Sequence, residues 1–139
     1  MEDFALKQDN VRIQNKIYGF EKLALDESQP VYRRSGLYGL SAISVALLKT
    51  KNDSFFEQIV QTVVIRLEDR DPKVQVAACE AIFNVIKNYR EVVLKSKFFE
   101  KIFDTTISLI GSSFVEVREF AKKVDDKIKD TVFACLTMK

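Results

Sequence analysis

Few residues in this chain have the types and spacing that chemistry requires. The stretch PVYRRSGLYGL, residues 30–40, sets two glycines three apart beside a pair of arginines. A phosphate loop needs GxxxxGK[ST] or GxGxxG between a strand and a helix, and neither spacing is present. The 139 residues contain no His, which removes Ser-His and Cys-His pairs and every imidazole metal ligand. Asp69 and Asp71 flank Arg70, and Asp125-Asp126 lies in a run with Lys122, Lys123, Lys127 and Lys129. Both groups read as solvated charge and helix caps rather than an acid/base dyad. Cys79 and Cys135 are far apart, with no metal spacing, and read as reduced thiols. Cys79 beside Ala78 and Ala81 reads as a small buried hydrophobe with no basic partner to lower its pKa. The chain is therefore read as non-enzymatic, without cofactor or metal.

Composition narrows the partners. Net charge is +2, from 22 basic and 20 acidic residues, too balanced for a nucleic-acid footprint. Apolar residues make up 47% and charged residues 30%, which describes a soluble globular chain. The apolar run LSAISVALL is far too short to span a membrane. MEDFALKQDN is acidic and mixed, unlike a secretory signal.

The elements that must position these residues repeat. FFEQIV at 55–60 returns as FFEKIF at 98–103, an offset of 43, and the same offset carries Val74 to Val117. A step of 42 finds an earlier copy, aligning Ile17, Ile59 and Ile102, then Leu25, Leu67 and Ile110, then Ile43, Val85 and Ile128, and Pro30 with Pro72. That period lies in the range of HEAT and armadillo repeats. Within each copy the apolar residues recur at three- and four-residue steps, as in Ile59, Val60, Val63, Val64 and Leu67. Ser54 with Glu57 and Ser113 with Glu116 are spaced as capping boxes. Asp71-Pro72 offers an N-cap followed by a proline at the first helical position. The fold expected is all-α: a single domain over 1–139, an α-solenoid of six helices in three HEAT-like antiparallel pairs. The helices are expected at about 9–26 and 30–50, 54–69 and 72–90, and 96–111 and 114–135. The repeats then cover about 9–50, 54–90 and 96–135.

In that register Gly36 aligns with Ala78 and Ala121, and Gly39 with Ala81 and Val124. These small residues are assigned to close packing between helices, at roughly 1 kcal/mol of helix propensity for each glycine. In stacked pairs the second helices line the concave face used for binding. Their polar positions, Arg33 and Arg34 in the first copy and Gln75, Asn84, Lys87 and Asn88 in the second, form the candidate partner surface. Arg33 and Arg34 open a helix, where a cation is disfavoured by the dipole.

The segments RRSGLYGLSAISVAL at 33–47 and ACEAIFNVIK at 78–87 resemble the N-terminal HEAT region of the ArPIKfyve family. This is the vacuole-morphology scaffold of the complex that makes phosphatidylinositol 3,5-bisphosphate. The resemblance continues through Phe103-Asp104, Asp126, Ile128-Lys129-Asp130 and Val132, and covers roughly residues 30–132. Ser35 stands where the family has a glycine, and Val76-Ala77 where it has aromatic residues. The family is also much longer, so the chain corresponds to an N-terminal piece or to a reduced relative. The apolar tail at Val132, Phe133 and Leu136 suits the first, and Lys122 and Asp125 at otherwise apolar register positions suit the second. The resemblance implies a scaffold that holds a PIKfyve-type phosphoinositide 5-kinase on the cytosolic face of endosome or vacuole membranes, attached through its partners. A Sac-type phosphoinositide phosphatase would bind through a region absent here. Two other readings stay open. One is a different HEAT adaptor. The other is a peripheral lipid-binding module using Arg33, Arg34, Lys122 and Lys123.

Overall fold

The computed structural model describes residues 4–47 and 55–137. Within them run α1 (Phe4–Ala24), α2 (Pro30–Leu47), α3 (Phe56–Leu67), α4 (Pro72–Asn88), the short α5 (Arg90–Leu94), α6 (Phe99–Ile110) and α7 (Val115–Thr137). The described residues contain helices and turns, with no strand. α1 packs on α2, α3 on α4 and α6 on α7, and the second helices stack in the order α2, α4, α7. The fold is therefore an all-α stack of helix pairs, HEAT-like in architecture.

Local chemistry sets the turns between paired helices. The Asp71 carboxylate accepts from the N–H groups of Lys73 at 2.8 Å and Val74 at 3.1 Å, with Pro72 at the start of α4. These bonds satisfy donors that the first helical turn leaves free. Before α2 the Asp26 carboxylate instead closes the connecting turn, accepting from the N–H groups of Ser28 at 2.8 Å and Gln29 at 3.1 Å, both ahead of Pro30. Before α7 the turn forms one residue earlier than the expected box at Ser113: Ser112 Oγ accepts from the Phe114 N–H at 3.1 Å. Ser54 of the other expected box lies outside the described residues.

One element was not anticipated. The helix expected to run to about residue 90 stops at Tyr89, whose hydroxyl donates to the Ser44 carbonyl at 2.8 Å and whose ring sits 5.7 Å from that of Phe56. With Tyr89 anchored, the chain turns and forms α5, which buries Val93. The pattern REVVL is too short to distinguish such a turn from a connection.

α4 lies at the centre. It packs against α2, α3 and α7, and so buries Val74, Ala77, Ala78, Cys79, Ala81, Ile82, Val85 and Ile86. Ile17, Ile59 and Ile102 are all buried, as the repeat register requires. Leu25 is not: it is exposed, and Ala24 takes the buried place at the end of α1.

Candidate functional site

The six polar residues expected to form one partner surface do not gather in one place. Gln75 and Asn88 lie 13 positions apart on α4, about 20 Å along its axis. Arg33 is only 2% exposed. Its Nε donates to Asp69 Oδ2 at 2.8 Å, its Nη2 to Asp69 Oδ1 at 3.1 Å and its Nη1 to the Asp26 carbonyl at 2.9 Å. Asp69 also accepts from Arg66 Nη1 at 2.9 Å and from the Asp71 N–H at 2.9 Å. Arg66 Nη2 reaches Glu27 Oε1 at 2.8 Å. Arg33 is therefore no free surface cation, and Asp69 is not solvated. Burial pushes the Asp69 carboxyl up, but donation from Arg33, the Asp71 N–H and Arg66 outweighs it and holds the group below its usual range.

The repeat register explains this placement. Arg33, Gln75 and Arg118 occupy the same position in three successive second helices. Each reaches back to a carbonyl at the end of the paired first helix or in the turn after it. Arg33 bonds Asp26, Gln75 bonds Leu67 at 3.3 Å, and Arg118 bonds Ser112 at 2.9 Å. These side chains clamp turns. A long donor at one register position in every copy was the signal available in the sequence.

The remaining candidates differ in access. Arg34 is half-buried, and its Nε has no hydrogen-bond partner. Lys87 is exposed and Asn88 half-buried. Asn84 donates through Nδ2 to Ser41 Oγ at 2.7 Å, tying α4 to α2. Among the small residues, Gly36, Ala78, Ala81 and Ala121 are buried and Gly39 is half-buried. A Cβ on Gly36 would overlap the Ala24 backbone and the Phe20 carbonyl, and one on Gly39 would overlap the Phe20 ring. Of the four basic residues that a lipid-binding reading would use, Arg33 is buried, Arg34 half-buried, and Lys122 and Lys123 exposed.

A groove of about 310 Å³ opens between α4 and α7, lined by Glu80, Phe83, Asn84, Phe120 and Lys123. Residues 80, 83 and 84 share one face of α4 by helical spacing, as do 120, 123 and 127 on α7. Lys123 Nζ lies 4.6 Å from the Phe120 ring centroid, and Lys127 Nζ 6.0 Å from that of Phe83. Lys127 occupies the register of Asn84 one copy later, and Phe83 that of Ser41. Asn84 closes on the small Ser41, whereas Lys127 meets a bulky ring and stands off it. That exchange goes with a groove between the second and third copies.

Reactive chemistry has little foothold here. Burial, helped by Glu80, pushes the Cys79 thiol up to about 12, so it stays protonated at neutral pH. Among the described residues, no three of His, Cys, Asp and Glu come together as a metal site, and no helix is long and apolar enough to cross a membrane.

The family described as the Vacuolar 14 Fab1-binding region matches residues 31–130, from the first turn of α2 into α7. Protein VAC14 homolog of Arabidopsis thaliana is 38% identical over 104 residues, which is 75% of this chain and 14% of that relative. Protein VAC14 homolog of Schizosaccharomyces pombe is 35% identical over 97 residues, 70% of this chain and 12% of the relative. Vacuole morphology and inheritance protein 14 of Saccharomyces cerevisiae is 31% identical over 104 residues, 75% of this chain and 12% of the relative. The chain thus spans about an eighth of the length of these relatives. No solved structure gives a significant match. The family match covers well over half of the chain, which therefore belongs to the VAC14 homolog family and carries its Vacuolar 14 Fab1-binding region.

Proposed function

We propose that the chain is a non-enzymatic scaffold module that binds a Fab1-type phosphatidylinositol 3-phosphate 5-kinase. In this role it contributes to a complex that makes phosphatidylinositol 3,5-bisphosphate on endosome or vacuole membranes. The observation that carries this reading is the match to a Fab1-binding region over residues 31–130, which takes in all of α4 and nearly all of α2. Rigid stacked helix pairs suit the role, since such arrays present an extended surface to a partner. In this reading the chain acts as one domain of three repeats over about 9–50, 54–90 and 96–135. It reaches the cytosolic face of the membrane through its partners. A Sac-type phosphatase joins the assembly through parts of the longer relatives that this chain does not span.

The test is direct. The purified chain, immobilised, retains a purified Fab1-type kinase, while the chain alone shows no phosphoinositide kinase or phosphatase turnover. Absence of kinase retention by the folded chain refutes the binding role. Turnover that co-purifies with the chain and vanishes in Cys79→Ala refutes the non-enzymatic one.

A further inference from the structure

The groove between α4 and α7 has two components that call for an occupant. Its walls hold Phe83 and Phe120, both only partly buried against the core. Lys123 lines it with its ammonium 4.6 Å from the Phe120 ring centroid, and Lys127, one turn further along α7, holds its ammonium 6.0 Å from that of Phe83. Neither lysine has a carboxylate partner among the described ion pairs, although Lys129, on the same helix, is paired to Asp125 at 2.7 Å. A cation resting on an aromatic face gains about 0.5–1 kcal/mol at an exposed site, far less than a desolvated charge pair with a hydrogen bond. The ammonium groups therefore remain available to a carboxylate. Glu80 is the acidic residue in the groove lining, and Asn84 spends one amide hydrogen on Ser41, leaving its carbonyl for a donor.

We infer that this groove is where the kinase docks, by inserting an apolar side chain between Phe83 and Phe120 next to an acidic residue held by Lys123 and Lys127. This rests on the kinase-binding role proposed above and assigns it to one place in the fold. Charge complementarity selects the partner segment: a carboxylate satisfies the two lysines, while a basic segment is repelled by them. The apolar side chain gains by leaving water, and aromatic walls are typical of the anchoring pockets of interfaces. Glu80 and the Asn84 carbonyl can accept backbone N–H groups of the docked segment. Arg33 and Gln75, committed to their turns, take no part.

Binding to a purified Fab1-type kinase, measured by calorimetry, tests the assignment. Lys123→Glu with Lys127→Glu reverses both charges, and Glu80→Trp fills the groove from a half-buried position without removing a core side chain. Each is expected to weaken binding by at least about tenfold, which is about 1.4 kcal/mol. Lys16→Glu with Lys22→Glu on α1 makes the same change in net charge away from the groove and leaves the affinity unchanged. Melting temperatures of all variants are followed alongside. In an array of tiled peptides from the kinase sequence, the tiles captured carry an apolar residue beside an acidic one. Failure of the parent chain to bind overturns the kinase-binding role and this assignment with it. Full binding by the parent and by both groove variants overturns the groove alone and leaves the role standing. Equal weakening by the α1 pair overturns the groove in favour of net charge. Pelleting with phosphatidylcholine vesicles that contain phosphatidylinositol 3-phosphate, lost in the Lys123/Lys127 variant while kinase binding persists, makes the groove a lipid headgroup site and overturns the assignment.

Discussion

Arg33 sits in the first turn of α2, where the positive end of the helix dipole disfavours a cation, yet its side chain is buried. Asp69 compensates by giving both its oxygens to the guanidinium. Once two charges leave water, removing one strands the other at about 3–5 kcal/mol. Arg33→Met is therefore expected to cost stability near the low end of that range, because Arg66 and the Asp71 N–H still hold Asp69. Urea unfolding measures the loss, and a cost below about 1 kcal/mol would show that the pair contributes little. The same network gives a pH dependence. The folded-state pKa of Asp69 lies below the ordinary 3.8. Its contribution is thus complete above that value and is lost as pH falls through the lower folded midpoint. A carboxyl ¹³C titration of the folded chain should place the Asp69 midpoint under 3.8. A midpoint at or above it would mean that desolvation outweighs the three donors. The carboxylates of half-buried Asp26 and exposed Glu27 are also held low, the first by Ser28 and the second by Arg66, so a stability curve alone would not isolate Asp69.

Two glycines on paired helices give opposite expectations at the scale of elements. Gly36 on α2 leaves no room for a Cβ, because the Ala24 and Phe20 backbones of α1 come against it. Gly19 on α1 has nothing within 4 Å of a Cβ position. Gly36→Ala must push α1 and α2 apart, at roughly 1–3 kcal/mol, and Gly36→Leu at more. Gly19→Ala adds helix propensity without a clash and should stabilise by roughly 0.5–1 kcal/mol. Thermal unfolding of the pair decides the matter, and the same sign for both substitutions would sink the close-approach account. This contrast also shows what was legible in the sequence. The alignment of Gly36 with Ala78 and Ala121 gave a register, and a register is enough to place a small residue between helices. It was not enough to find the ion partner of Arg33. Its partner Asp69 lies 36 residues away in the turn before α4, and charge pairing across a turn leaves no periodic trace. Likewise, helical spacing places Phe83 and Phe120 near the edge of the apolar stripe. Only the stacking of α4 on α7 brings the two rings to one groove. α5 was missed because five residues carry too little period to compete with a loop reading.

Stability in a stack of helix pairs is carried between neighbours, so the position of a helix in the stack decides how far a defect spreads. α4 touches both other second helices, whereas α1 touches only α2 and α3 among the closely packed neighbours. The first interface is tied by Asn84 to Ser41, Tyr89 to the Ser44 carbonyl and Gln14 to Gln58 at 3.0 Å. The α3–α6 side is tied by Glu68, which takes Lys101 Nζ at 2.5 Å and the Thr105 hydroxyl at 3.4 Å. Ile82 on α4 and Ile17 on α1 are both fully buried, so truncating either to alanine removes a similar side chain at a cost of about 2–5 kcal/mol. Their reach should differ. Ile82→Ala is expected to lower hydrogen-exchange protection in α2, α4 and α7 together, because the defect lies where both interfaces meet. Ile17→Ala should lower protection in α1 and α2 and leave α6 and α7 near parental values. Local opening from one end explains this pattern, since a terminal pair can separate while the remaining stack keeps its own contacts. Equal loss across all helices in both variants would mean that the chain unfolds as one unit and that position in the stack does not matter. Loss confined to α4 in the Ile82 variant would mean that the interfaces transmit little.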